Sequence, residues 1–209
     1  MKYAIKKSGE SRSFPPGDPF LAGAADEADV LVLLGAPFAP DEARTAILVE
    51  LDTECLGVHT GEASGTEGSN AVGFARYRNG DAPPSPLVEL VRQPNTAQSA
   101  IDAARAVFEA TGLTVVVSAD QAGRIIDRLV RPKYNAALRF LDEGLATAED
   151  MDLTCRLGLG YPDGPIERAE RGGLARHHDI TKVLFNVYGT SAYAPARRAV
   201  VAKMRESKG

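Results

Sequence analysis

Apolar positions in the first 120 residues fall in short blocks, and beyond them they recur at helical steps. Asp29-Val-Leu-Val-Leu-Leu-Gly35 is an unbroken apolar run ending in glycine, which suits a strand buried on both faces of a parallel sheet. Pro40–Leu51 opens with proline and acids, a pattern that predicts a helix. Short strands are expected at Glu54–Val58, Ala71–Ala75 and Leu87–Arg92. A Gly/Ser/Glu-rich loop covers Thr60–Asn70, and a proline-rich loop covers Arg78–Pro86. Ile101, Ala104, Val107 and Phe108 share one face of a helix over Thr96–Thr111, and Leu113-Thr-Val-Val-Val117 follows as a strand. Residues 8–20 read as loop. This alternation argues for an α/β part with a partly parallel sheet.

From Gln121 onward the period changes. Ile125, Ile126, Leu129, Val130, Ala137, Leu138 and Leu141 recur at three- and four-residue steps, the signature of one helix face. Pro132 interrupts that pattern without ending it, so a kink is expected there, and Gly144 is the expected C-cap. Thr147 with Asp150 three residues later starts a second helix that runs to about Arg156. Gly160-Tyr-Pro-Asp-Gly-Pro165 makes a tight turn in which Gly164 is expected at positive φ. Gly172-Gly173 breaks the chain again, a last helix runs from about Ala175 to Tyr188, and Ala194–Lys208 is a short basic tail. The fold class is thus α/β followed by all-α, with domains at 1–119 and 120–209.

Composition narrows the function. Residues 1–120 hold 9 basic and 17 acidic side chains, and residues 121–209 hold 15 and 11. The first part is therefore net negative and the second net positive, a charge that could attract phosphates or an acidic partner. The arginines are scattered without interleaved aromatics, which argues against nucleic acid. No apolar run approaches the roughly 18 residues of a membrane span, and the N-terminus lacks a signal-peptide pattern. Cys55 and Cys155 stand alone, as in a reducing cytoplasm. They have no metal-ligand spacing to His59, His177 or His178, so no metal is expected.

The order of pieces carries a family resemblance. Gln121–Gly144, then Ala146-Thr-Ala-Glu-Asp-Met-Asp152, then Arg156-Leu-Gly-Leu-Gly-Tyr-Pro-Asp-Gly-Pro165 resembles the C-terminal domain of 3-hydroxyacyl-CoA dehydrogenases, over most of residues 113–200. The resemblance implies a Rossmann-like parallel sheet upstream and a helical dimerisation domain downstream. The family opens with strand, G-x-G-x-x-G and helix, which holds a dinucleotide pyrophosphate. No such spacing follows a strand here. The glycines of Gly61-Glu-Ala-Ser-Gly-Thr-Glu-Gly68 stand at other intervals and beside two carboxylates. About 28 residues precede the first clear strand, while a βαβ unit needs roughly 30 or more. The N-terminal part is therefore expected to be truncated.

Residue by residue, the family's proton-transferring His falls on Ala75, Arg76 or Tyr77 within Gly73-Phe-Ala-Arg-Tyr-Arg-Asn79, depending on the gap. None can act as that base, since arginine stays protonated and tyrosine titrates near 10. The orienting acid matches Glu89. The catalytic-loop Ser matches Gly61 in His59-Thr-Gly-Glu62, and the Asn at the start of the long helix matches Asp127, an exchange to an acceptor-only carboxylate. His59, at an expected strand end, is the one replacement base in reach, and a lone loop His is more often simply solvated. Asp127, near Arg124, Arg128 and Arg131, reads most simply as a helix-surface ion pair.

The candidate site residues are thus Glu89, Asp127 and His59. The resemblance implies a degenerate family protein of acyl-CoA metabolism: a homodimer through its helical domain, binding acyl-CoA or assisting a catalytic partner chain, with no cofactor in the isolated chain. The alternative is an active NAD-dependent 3-hydroxyacyl-CoA dehydrogenase with rearranged sites.

Overall fold

The computed structural model describes residues 1–208. The chain forms two compact units, one of residues 1–78 and 83–124, the other of 79–82 and 125 onward.

The first unit is built on one six-stranded sheet whose strands follow in chain order. They are β1 (Ala4–Lys7), β2 (Val30–Leu34), β3 (Ala46–Glu50), β4 (Ala71–Arg76), β5 (Leu87–Arg92) and β6 (Thr114–Ala119). All neighbours pair parallel except β4 and β5, which are antiparallel. The helices are α1 (Pro19–Ala22), α2 (Gly57–Thr60) and α3 (Gln98–Glu109). A parallel sheet must be covered on both faces, and each face here has its own core. On one side Val30, Val32, Leu34, Leu48, Val72, Phe74 and Leu90 meet α3 and the aromatic residues of the N-terminal segment. Phe14 and Phe20 stack at 4.0 Å between centroids, and Phe20 stacks on Phe108 at 5.4 Å. On the other side Leu33, Ile47, Val49 and Val91 are covered by Leu51, Leu56 and Ala36.

Three elements of this unit differ from expectation. Pro40–Leu51 is not a helix. Asp41 caps a turn by accepting from the Ala43 amide at 3.1 Å, and Ala46–Glu50 becomes β3. Ala46, Ile47, Leu48 and Val49 are all buried, which a strand between two parallel neighbours requires and an amphipathic surface helix does not. Glu54–Val58 is not a strand either. Asp120 accepts from the Leu56 and Gly57 amides at 2.7 and 2.9 Å, and these anchored donors start the single turn of α2. Finally, β1 lies in the segment expected to precede the first strand.

The second unit is helical: α4 (Ile125–Asp142), α5 (Ala148–Leu159), α6 (Pro165–Arg171), α7 (Leu174–Tyr188) and α8 (Arg197–Glu206), with a 3-10 turn at Ser191–Tyr193. Helix α4 runs unbroken through Pro132. Gly144, at φ 73, ends it as expected, with Leu145 donating back to Phe140 O at 3.0 Å. The Thr147 hydroxyl caps α5 by accepting from the Asp150 amide. The basic tail is a helix, held by buried Ala199 and by Lys203 on Asp179 at 2.7 Å.

Gly164 corrects a second expectation, because its φ is −71. It is small for lack of room: a Cβ there would run into the Asp152 carboxylate. That carboxylate is buried and accepts from the Ile166 and Glu167 amides, both at 2.9 Å, so it caps α6. Gly80, in the short excursion Asn79–Ala82, has φ 60 and sits against Arg171 O.

The interior of the second unit is polar in one place. Arg131 Nη1 donates to His177 Nδ1 at 3.3 Å, and His177 Nε2 meets Asn135 Oδ1 at 2.9 Å. With Nδ1 accepting, Nε2 carries the proton and the ring is neutral. Burial, then the charge of Arg131 and that of His178, push the His177 pKa down to about 3.

Two outcomes follow for stability. Asp152→Ala and Gly164→Ala should each destabilise the chain by about 1–3 kcal/mol, since one removes the cap and the other displaces it. Their double variant should cost less than the sum, checked by urea unfolding. For His177 the unfolded ring, near 6.5, takes up a proton that the folded ring refuses until about pH 3. Its stabilising contribution is therefore complete above pH 6.5 and is lost as pH falls below it, by about 1 kcal/mol per pH unit. Unfolding curves of His177→Gln between pH 7 and 4 should show a flatter pH dependence than the parent; identical slopes would refute the assignment.

Candidate functional site

Of the three positions on which the resemblance expects a His, the antiparallel register of β4 and β5 sets one opposite Glu89. Ala75 is the direct cross-strand partner of Glu89, while Arg76 pairs with Val88. Partners directly opposite share a face of the sheet, so a side chain at 75 is the one that stands beside the Glu89 carboxylate. It is a methyl. Ala75 and Glu89 are both buried, and Glu89 accepts from the Ser118 hydroxyl at 3.0 Å. That Ser118–Glu89 bond was not legible beforehand, because it joins β5 and β6 across a register that only pairing defines.

Arg76 points to the other face and is fully engaged. Its Nε donates to Ser85 O at 2.9 Å, and its Nη1 donates to Ser13 O at 2.9 Å and Asp18 Oδ2 at 2.8 Å. The guanidinium also lies over the Phe14 ring at 5.0 Å. It serves the N-terminal segment.

His59 does not sit at a strand end. It lies on α2, partly exposed, with Nε2 3.4 Å from Glu54 Oε1. The loop that leaves a strand here is Leu51–Leu56, after β3. Within the loop, burial and the charge of Asp120 push the Cys55 thiol pKa up, which keeps it protonated and poorly nucleophilic. Gly61 closes α2 at φ 89.

Asp127 is the third candidate, and it is not a surface pair. It is buried in the helical unit and accepts from Arg131 Nε at 2.8 Å, both side chains nearly enclosed. Arg131 is itself tied to His177, so Asp127 heads a chain that continues to Asn135. Asn135 in turn donates to Ala192 O at 3.0 Å and accepts from the Ala196 amide at 3.3 Å. Breaking one partner of a buried pair costs about 3–5 kcal/mol, so this polar line is first of all structural. Among the described residues no group of three or more His, Cys, Asp and Glu side chains could hold a metal ion, and no helix is long and apolar enough to cross a membrane.

The residues that would have to hold a dinucleotide do not fit one. The segment leaving β1 is Ser8-Gly-Glu-Ser-Arg-Ser13 and contains no helix before α1, so the turn after β1 does not lead directly into a helix N-terminus of the kind that receives a pyrophosphate.

Known proteins bear on both units. Residues 123–208 match the family described as 3-hydroxyacyl-CoA dehydrogenase, C-terminal domain. A 3-hydroxybutyryl-CoA dehydrogenase of Bradyrhizobium diazoefficiens is 34% identical over 109 residues, covering 52% of this chain and 37% of that protein. The human mitochondrial hydroxyacyl-coenzyme A dehydrogenase is 36% identical over 98 residues, covering 47% and 30%. The matched stretch thus spans about a third of the length of these relatives. In fold, the (S)-3-hydroxybutyryl-CoA dehydrogenase of Ralstonia eutropha aligns over 86% of this chain and 66% of its own, with TM-score 0.70 at 21% identity. The 3-hydroxybutyryl-CoA dehydrogenase of Escherichia coli K12 aligns over 77% and 32%, with TM-score 0.60 at 26% identity. Residues 123–208 thus resemble the C-terminal domain of the 3-hydroxyacyl-CoA dehydrogenase family, and the chain shares the fold of the solved dehydrogenases.

Proposed function

We propose that this chain is a degenerate member of its family, a dimeric acyl-CoA-binding or accessory protein that performs no hydride transfer alone. The observation that carries the reading is the pair Ala75 and Glu89. The carboxylate that would orient a base is kept, buried and hydrogen bonded to Ser118, while its cross-strand partner is a methyl with no proton to move. Neither nearby residue supplies a substitute: Arg76 is bound elsewhere, and a phenol such as that of Tyr77 is a poor base at neutral pH. The excess of basic residues in 121–209 favours the phosphate-bearing end of an acyl-CoA.

Pairing of two copies is part of the same proposal. Ile125 and Leu129 stand four residues apart on α4, and Leu153 and Leu157 on α5, and all four are exposed. Residues so spaced share a helix face, and such apolar faces mark association sites. Leu138, by contrast, is fully buried in the core of the helical unit with Tyr134 and Ala169.

Calorimetric titration of the purified chain should show no saturable binding of NADH at sub-millimolar concentration, and 3-hydroxybutyryl-CoA should not be oxidised. Turnover that disappears in His59→Ala would return His59 to the role of base and sink the degenerate reading in favour of the active dehydrogenase. For assembly, sedimentation should show a dimer that buries more than about 1,200 Å² in total. Leu129→Asp and Leu157→Asp should give folded monomers, and Leu138→Asp an unfolded chain. A monomeric parent at tens of micromolar removes the dimer from the proposal.

A further inference from the structure

The crossovers that follow β1 and β2 leave on opposite faces of the sheet. After β1 the chain places Phe14 and Phe20 in the core beneath α3, and after β2 it places Ala36 and Phe38 in the core of the other face. In open parallel sheets, the carboxyl ends of two such strands part to form the crevice in which ligands bind. Here the chain itself lies in that place. The Ser8 amide donates to Leu34 O at 2.9 Å, and Ser8 O packs on Gly35, where a Cβ would stand 2.5 Å from it. The segment then crosses the carboxyl end of β3: Ser11 Oγ and the Ser13 amide both donate to Glu50 Oε1, at 2.7 and 2.9 Å. It reaches the end of β4, where the Arg76 amide donates to Ser13 Oγ at 3.2 Å and its guanidinium grips Ser13 O and Asp18. Ser11, Ser13 and Phe14 are 3%, 2% and 0% exposed, so the segment is anchored by these buried side chains while Ser8, Gly9, Glu10, Arg12, Pro16 and Gly17 face solvent.

We propose that residues 8–18 are a resident plug of the sheet's ligand crevice. Serine hydroxyls and backbone amides of the chain satisfy the groups at the carboxyl ends of β2, β3 and β4 that a nucleotide would otherwise meet. The chain is thus closed to dinucleotides by occupancy, beyond the lack of a phosphate-binding turn. This rests on the reading that the chain works without a dinucleotide, and it adds a physical state that is observable without any ligand.

Hydrogen–deuterium exchange on the full chain, with and without millimolar NADH, tests it. The amides of Ser8, Ser13 and Phe14 should exchange as slowly as those of β2 to β4, and NADH should leave them unchanged. Glu50→Ala should raise exchange across residues 11–14 at least tenfold while β2 and β4 stay protected. Phe14→Leu, which keeps the core filled, should leave it within a few-fold. Exchange in residues 8–14 as fast as in the exposed loop at 61–66 would overturn the plug, as would NADH-dependent loss of their protection or a Glu50→Ala variant that exchanges like the parent. Saturable NADH binding with the protection of residues 8–14 intact would leave the plug standing and overturn the cofactor-free reading instead.

Discussion

A parallel sheet exposes two apolar faces, and burying both is the demand that organises the first unit. On one face the only long helix is α3, and the rest of the cover is aromatic. Tyr3, Phe14 and Phe20 form a stack that leans on Phe108, with Phe74 beneath. Each such ring removes on the order of 150–250 Å² from water, so three rings supply cover on this face where the β1–β2 connection forms only the one-turn helix α1. The other face is covered by Leu51 and Leu56 from the β3 exit loop, held by the two amide bonds to Asp120. Both solutions use irregular chain, and both fix where polar groups end up.

That arrangement bears on how the proposed loss of chemistry would leave the fold intact. Glu89 sits in the sheet, buried and hydrogen bonded to Ser118. The helical unit keeps its polar line from Asp127 through Arg131 and His177 to Asn135. Folded stability depends on these groups whether or not a reaction does, because an unpaired buried charge is costly. Ala75 carries no such obligation. A methyl fits a buried strand position as well as an imidazole does, and it leaves no unsatisfied nitrogen.

How much was legible depended on whether a residue's role is local. The β2 strand was readable because five apolar residues in a row have few alternatives, and α4 because its period is long. The Thr147 cap and the Gly144 ending were readable for the same reason: partner and partnered lie within one turn. Ala46–Glu50 failed because a short apolar run after Pro40 and acids fits a helix as well as a strand, and only parallel neighbours on both sides settle it. Glu54–Val58 failed because the carboxylate that turns it into a helix start comes from Asp120, far along the chain. Gly164 was read by φ, when its constraint is the Asp152 carboxylate on the preceding helix. Asp127 was taken as solvated because the residue that encloses its partner, His177, belongs to another helix.

The aromatic stack also sets a schedule for synthesis. Phe14 and Phe20 are made long before Phe108, the ring they rest on, which belongs to the last helix of the unit, and β6 follows it. Long-range contacts of this kind are slow to form and leave apolar surface open until they do. A nascent chain halted before α3 therefore carries an uncovered set of rings beside unpaired strands, a surface that chaperones engage. The helical unit, made later, is mostly local in its contacts but for the excursion at Asn79–Ala82, whose Asn79 donates to Arg168 O, and it can fold as soon as it emerges.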